Sequence, residues 1–133
     1  MSAELFWLTL TALLAASLWV PYIVGVTMHP VDAAADFRRP PDLRQFPEWV
    51  HRAHRAHLNM IEQGMPFAVL VLIADAAGVS NGWTVGAAAA FFWLRAVHAV
   101  GMISGIARFP LRPILFTAGW LCSAVFGIVL LMA

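Results

Sequence analysis

Four long apolar stretches, separated by short polar segments, set the pattern of this 133-residue chain. They run from Leu5 to Thr27, from Glu48 to Ala77, from Trp83 to Ile103 and from Ile114 to Met132. Each reaches or approaches the roughly 20 residues that a helix needs to cross the hydrocarbon core of a bilayer. The pattern predicts an all-α, integral membrane four-helix bundle, a single domain over residues 1–133 with spans at about 5–27, 48–77, 83–103 and 114–132. Pro21 should kink the first span or end its regular part, and His29-Pro30 closes it. Val31 to Pro47, with Asp32, Asp36, Arg38, Arg39, Asp42 and Arg44 around Pro40-Pro41, has the composition of a polar loop. Gly78 to Gly82 reads as a tight turn and Ser104 to Pro113 as the last loop.

The second stretch breaks the apolar pattern. His51, Arg52, His54, Arg55, His57, Asn59 and Glu62 run without interruption into Phe67–Ile73, and Gly64 and Pro66 are points where this helix can bend. A charged side chain at the centre of a bilayer costs at least about 2.5 to 3.5 kcal/mol, so such residues usually face protein or water and serve a function. On a helix, Glu48, His51, Arg55, Asn59, Glu62 and Pro66 fall within roughly 40° of Arg55. That narrow stripe suits either an elongated polar ligand or charges on a neighbouring helix. The third stretch adds Arg95, His98 and Met102 on one face. Glu62 and Arg95 are expected to compensate each other in a medium of low dielectric.

Composition agrees with a membrane protein: 62% of residues are hydrophobic, 11% are charged, and the mean hydropathy is +0.80. The formal net charge of +1 gives no reason to expect nucleic-acid binding. All eight basic residues are arginine, and they cluster before the second and fourth stretches. By the positive-inside rule both arginine-rich loops face the cytoplasm and both termini the opposite side, which opens the polar stripe toward soluble co-substrates. In a bacterium this would be the cytoplasmic (inner) membrane. The first apolar run lacks a basic leader and is read as a retained span. The single cysteine, Cys122, excludes an intrachain disulfide and is read as a small packing residue.

Arg55-x-x-x-Asn59-x-x-Glu62-x-x-x-Pro66-Phe67, then Arg95-x-x-His98, then Arg112-x-x-x-Phe116-x-x-Gly119-Trp120, resembles the MAPEG family, the membrane-associated proteins in eicosanoid and glutathione metabolism. Trp19-Val-Pro-Tyr22 and Trp49 are similar to its bacterial branch. The resemblance covers nearly the whole chain. It implies a homotrimer of four-helix protomers, with glutathione as co-substrate between neighbouring subunits and a lipophilic second substrate entering from the bilayer. It implies that Arg55, Asn59, Glu62, Arg95 and His98 contact glutathione or support those contacts. It also implies that Arg112, with Arg108 as runner-up, stabilises the thiolate. The chemistry suits the ligand, because arginines hold carboxylates bidentately and a glutamate holds an ammonium. The expected activity is therefore that of a membrane-embedded glutathione-dependent transferase or peroxidase. Two positions depart from the pattern: Met102 stands where many glutathione-using members carry a tyrosine, and Leu58 replaces an arginine found in some eukaryotic members.

Other classes have less support. His51, His54 and His57 recur every third residue, but spread over about 120° of one helix they do not converge on one metal ion without help from other subunits. A non-catalytic lipid- or glutathione-binding protein is the alternative function, and the loss of the tyrosine at Met102 favours it. A transporter would be expected to show an inverted repeat, and none is visible. The lipophilic substrate is not encoded legibly, because a groove of Phe, Leu, Val and Ala is chemically generic.

Overall fold

The computed structural model describes residues 1–30 and 42–133. The expected polar loop with Asp32, Asp36, Arg38, Arg39 and Pro40-Pro41 lies mostly outside the described residues. The chain is an all-α membrane bundle. The first span is built from α1 (Ala3–Ser17) and α2 (Trp19–Met28), and the others are α3 (Glu48–Ala76), α4 (Gly82–Ser104) and α5 (Leu111–Met132). The break between α1 and α2 falls at Leu18 rather than at Pro21. Proline has no N–H for the carbonyl four residues back and its ring crowds that carbonyl, here Ser17, so the fault appears one turn earlier. Before α3, a single 3-10 turn at Leu43–Gln45 is capped by Asp42, whose carboxylate accepts from the Arg44 backbone N–H at 3.0 Å. The Arg44 side chain, which donates to the same carboxylate, holds Asp42 below the usual carboxylate range.

Capping explains the helix ends. Asn81 accepts from the backbone of Trp83 and Thr84 while Thr84 Oγ1 accepts from the Asn81 N–H, closing a capping box at the start of α4. Gly78, with φ of 69°, turns the chain after α3, a conformation that costs a glycine little. The last helix begins at Leu111, three residues before the expected Ile114, and includes Pro113. A helix's first turn has N–H groups with no intrahelical partner, so a proline there loses nothing. Arg112 is consequently a helical residue, not a loop residue.

Most of each span's surface is exposed in the protomer, and the exposed residues are large and apolar, among them Leu13, Met65, Val69, Leu72, Trp93, Val97 and Trp120. That is the pattern of a protein whose solvent is lipid. Lipid tails are as apolar as leucine, so the hydrophobic effect does little to hold helix against helix; close packing and hydrogen bonds must do so. The packing centre is Phe67 of α3, stacked on Phe91 of α4 with centroids 3.8 Å apart and meeting Phe126 of α5 edge-on at 5.5 Å. Val71, Ala74, Ala87, Ala88 and Cys122 complete this cluster. Small residues set the helix separations, and on α4 Ala87 and Ala88 turn inward while Gly86 and Ala90 remain exposed. Where α2 crosses α3, Gly25 is buried; a methyl group there would come 2.6 Å from Val50 Cγ2 and 2.8 Å from Trp49 Cη2.

The crossing at Gly25 gives a direct test of this packing. Gly25→Ala should force α2 off α3 and cost about 1 to 3 kcal/mol, the usual scale for overpacking. Thermal unfolding in mild detergent would show it as a lowered midpoint, whereas Gly127→Ala, where an added methyl meets nothing within 4 Å, should leave the midpoint unchanged.

Candidate functional site

One end of the bundle carries the α2–α3 and α4–α5 connections and the other carries both termini and the α3–α4 turn. At the first end α3 extends a polar ramp into the bundle. Its buried face is defined by Ala53, Ala56, Asn59, Met60, Gln63, Phe67 and Val71. This face is centred about 120° around the helix from Arg55. The predicted stripe therefore divides. Asn59, on its edge, is buried, whereas Glu48, His51, Arg55, Glu62 and Pro66 lie exposed on the outer surface of the protomer.

Inside, the side chains form a polar layer across three helices. Arg95 and His98 of α4 are fully buried. Arg95 donates from one terminal nitrogen to Gln63 Oε1 at 3.1 Å, and its other terminal nitrogen lies 3.3 Å from His98 Nδ1. A guanidinium has only donors, so Nδ1 accepts and the imidazole carries its proton on Nε2. Gln63 Nε2 in turn donates to the Phe116 carbonyl of α5 at 3.0 Å. Asn59 Nδ2 donates to Met102 Sδ at 3.5 Å, the thioether taking the amide proton at the position where the family tyrosine was missed. The Arg95 Nε and His98 Nε2 atoms have no partner among the described residues.

This layer refines the expected Glu62–Arg95 pair: Glu62 acts on Arg95 through space as an opposite charge, but the two make no direct ion pair. Glu62 and Gln63 are adjacent, so on a helix they point about 100° apart. Gln63 is the one aimed inward. Arg95 is thus held by neutral groups, with no carboxylate within ion-pair distance among the described residues. The sequence reading passed over Gln63, although its spacing of four from Asn59 and from Phe67 placed it on the face marked by Ala53 and Ala56. It also passed over the role of Gly119, which lies against this layer because any side chain would collide with it: an added methyl would stand 2.7 Å from Gln63 Oε1.

The remaining predicted residues stay on the surface. Arg55 and Glu62 are exposed on α3, and Arg112 is exposed in the first turn of α5. Arg108 is exposed too, and its Nε donates to the Gly105 carbonyl at 3.3 Å at the end of α4. Nearby arginines are engaged as well: Arg44 pairs with Asp42 at 3.1 Å, and Arg52 reaches both Glu48 and the Ile103 carbonyl. The guanidinium groups of Arg55 and Arg112 make no hydrogen bond or ion pair with another of the described residues. A half-open cavity of about 470 Å³, lined by Leu43, Arg44, Phe46, Glu48, His51 and Arg52, adjoins the same outer surface. His54 packs its ring on Tyr22 with centroids 4.8 Å apart. Among the described residues no group of three His, Cys, Asp or Glu side chains is placed to hold a metal ion.

A sequence model described as the MAPEG family matches residues 5–132, and the chain belongs to that family. Comparison with characterised proteins and with solved structures gives no significant match.

The polar layer predicts a specific stability pattern. Gln63→Leu removes a partner from a buried charge and should destabilise the protein by about 3 kcal/mol or more. Adding Arg95→Met removes the stranded charge and should recover much of that loss, a coupling that unfolding of the single and double variants would measure. Additive losses would contradict the hydrogen bond between the two residues.

Proposed function

As the chain is a MAPEG membrane protein, we propose that it is a glutathione-dependent enzyme of transferase or peroxidase type, acting on a lipophilic substrate from the bilayer. The observation that carries this reading is the pairing of a buried Asn59–Gln63–Arg95–His98 layer with an outer surface on which Arg55, Glu62 and Arg112 are exposed and have no partner among the described residues. Glutathione bears two carboxylates, an ammonium and a thiol. Two exposed guanidinium groups and an exposed carboxylate match that distribution of charge.

In this reading the residues divide their work. Arg55 holds a carboxylate and Glu62 the ammonium. Asn59, fixed by Met102, orients the peptide. Arg95, His98 and Gln63, fully or nearly fully buried, hold α3, α4 and α5 in register behind them. Arg112 stabilises the sulfur as an anion. A free thiol titrates near about 8.5, and each unit of lowering corresponds to about 1.36 kcal/mol of preference for the thiolate. The thiolate then attacks the electrophilic carbon of the second substrate, forming a C–S bond as the leaving group departs with its electron pair, or a peroxide oxygen, breaking the O–O bond to release an alcohol and leave the sulfur as a sulfenic acid.

An outward-facing charged surface in a bilayer also supports a homotrimer, in which a neighbour covers Arg55 and Glu62 and completes the site. Exposed Gly86 and Ala90 on α4 would permit a close approach. The arginine-rich end is proposed to face the cytoplasm, which places both termini outside and, in a bacterium, the protein in the inner membrane.

A second reading, a lipid- or glutathione-binding protein without catalysis, draws on Met102. Its sulfur occupies the Asn59 amide, and the single tyrosine, Tyr22, is engaged with His54 on α2.

Substitutions separate the two readings. Arg55→Ala should weaken glutathione binding by about 1.5 to 3 kcal/mol, measured calorimetrically in detergent. Arg112→Ala should raise the pH at which bound glutathione shows thiolate ultraviolet absorbance and slow its transfer to an electrophile, with little change in affinity. If Arg108→Ala has the larger effect, the thiolate partner is Arg108. Wild-type protein that binds lipid but leaves the thiol titration unchanged would establish the second reading instead.

A further inference from the structure

Arg52 has no part in the proposed site, yet it carries the inward polar line of α3 to the end of the bundle. It stands seven residues before Asn59 and eleven before Gln63, so both lie within about 20° of it around the helix. Asn59 meets α4 at Met102, and Gln63 meets α4 at Arg95 and α5 at the Phe116 carbonyl. Arg52 meets the last turn of α4, where its Nε donates to the Ile103 carbonyl at 3.3 Å. One terminal nitrogen pairs with Glu48, one turn back on α3, at 3.4 Å.

The contact is broader than one hydrogen bond. α4 ends at Gly105, whose φ of 80° is left-handed. A methyl group there would stand 3.2 Å from Arg52 Cζ, 3.3 Å from one terminal nitrogen and 3.4 Å from Nε. Three guanidinium atoms at nearly equal distances mean that the plane of the group covers the space a side chain at 105 would take. A helix C-terminus leaves carbonyls unsatisfied and carries the negative end of the dipole, and a guanidinium answers both.

Beyond Gly105 the connection to α5 is held only from within. Ala107 N–H donates to the Gly101 carbonyl, Arg108 N–H to the Ile106 carbonyl and Arg112 N–H to the Arg108 carbonyl, each at 2.9 Å. Among the described residues no side chain of another span hydrogen-bonds to residues 104–112, and residues 108–114 are exposed in the protomer. The segment that carries Arg108 and Arg112 is therefore tied to α3 at its two ends, by Arg52 where it leaves α4 and by Gln63 at Phe116.

We propose that Arg52 is a positioning residue for the thiolate chemistry: its guanidinium clamps the end of α4 and so sets where the connection presents Arg112 or Arg108 to the sulfur. This role rests on the reading above, in which Arg112, with Arg108 behind it, is the partner of the thiolate. The attraction between a guanidinium and an anion falls with distance and with hydration. A cation on an exposed segment keeps a fixed place only if the root of the segment is fixed. Lysine would replace the charge but not the plane that covers Gly105.

The intact protein in detergent offers two independent readouts. Hydrogen exchange of residues 104–112 needs no ligand, and the pH at which bound glutathione shows thiolate absorbance reports the consequence. Arg52→Met should raise exchange in that segment at least about tenfold, the scale of one lost charge-assisted hydrogen bond, and leave the middle of α4 and α5 protected. It should also move the thiol titration toward the free value of about 8.5, with glutathione affinity changed by less than about twofold. Added to whichever of Arg112→Ala and Arg108→Ala shifts the titration, Arg52→Met should shift it no further; additive shifts would mean that Arg52 acts on glutathione directly and would overturn the proposal. Arg52→Gln should behave as Arg52→Met does and carries the comparison if Arg52→Met fails to fold. Gly25→Ala, which loosens the bundle at the α2–α3 crossing, should leave the titration unmoved. Unchanged exchange in the Arg52 variants would overturn the clamp whether or not glutathione binds. Raised exchange with an unmoved titration, in a protein whose wild type does lower it, would overturn the positioning role and leave the proposed function standing. A wild type in which bound glutathione titrates as it does free would overturn both.

Discussion

The burial of Arg95 in the middle of the bundle constrains everything around it. A guanidinium removed from water needs its donors satisfied, and here the acceptors are the neutral Gln63 and His98 rather than a carboxylate. Neutral partners do not cancel the charge; they orient it, and they set requirements of their own. Gln63 must reach α5, which it does at the Phe116 carbonyl, and α5 must come close enough to be reached, which it does because position 119 is glycine. One buried cation thereby specifies the register of α3, α4 and α5. In lipid, where apolar surfaces gain little by meeting each other, such hydrogen bonds and the Phe67–Phe91–Phe126 contacts are the terms that distinguish this arrangement from other packings of the same helices.

Around that centre the molecule is electrically divided. Exposed guanidinium groups lie at one end, on the outer surface of α3 and at the start of α5. The helix ends at the other side carry no basic side chain, and Glu4 and Asp75 are the two of the seven carboxylates found there. The polar layer of Asn59, Gln63, Arg95 and His98 lies toward the arginine-bearing end.

The charged positions of the protomer also explain why Met102 matters. In the buried layer the Asn59 amide needs an acceptor, and a thioether provides a weak one. The layer is therefore satisfied at Asn59 without a hydroxyl at position 102.

Hydrophobic periodicity by itself determined the all-α class, the four spans and the turn at Gly78–Gly82, because span length and breaker residues are local properties that lipid makes obligatory; the family resemblance rested instead on the polar motifs around Arg55, Arg95 and Arg112. It also located the chemistry on the second and third spans, since ionisable residues in apolar runs are conspicuous. What the tertiary structure decided was orientation and partnership. The stripe through Arg55 is a sound feature of the helix, but only the packing of α3 against α4 and α5 showed that this stripe faces outward and that Gln63, 100° away from Glu62, meets Arg95. Likewise Glu4, Ser80 and Thr84 are separated by some 80 residues in sequence, and nothing local could bring a carboxylate and two hydroxyls together. A one-dimensional pattern records how often a helix is apolar and on which side; which neighbour that side meets depends on contacts between distant segments.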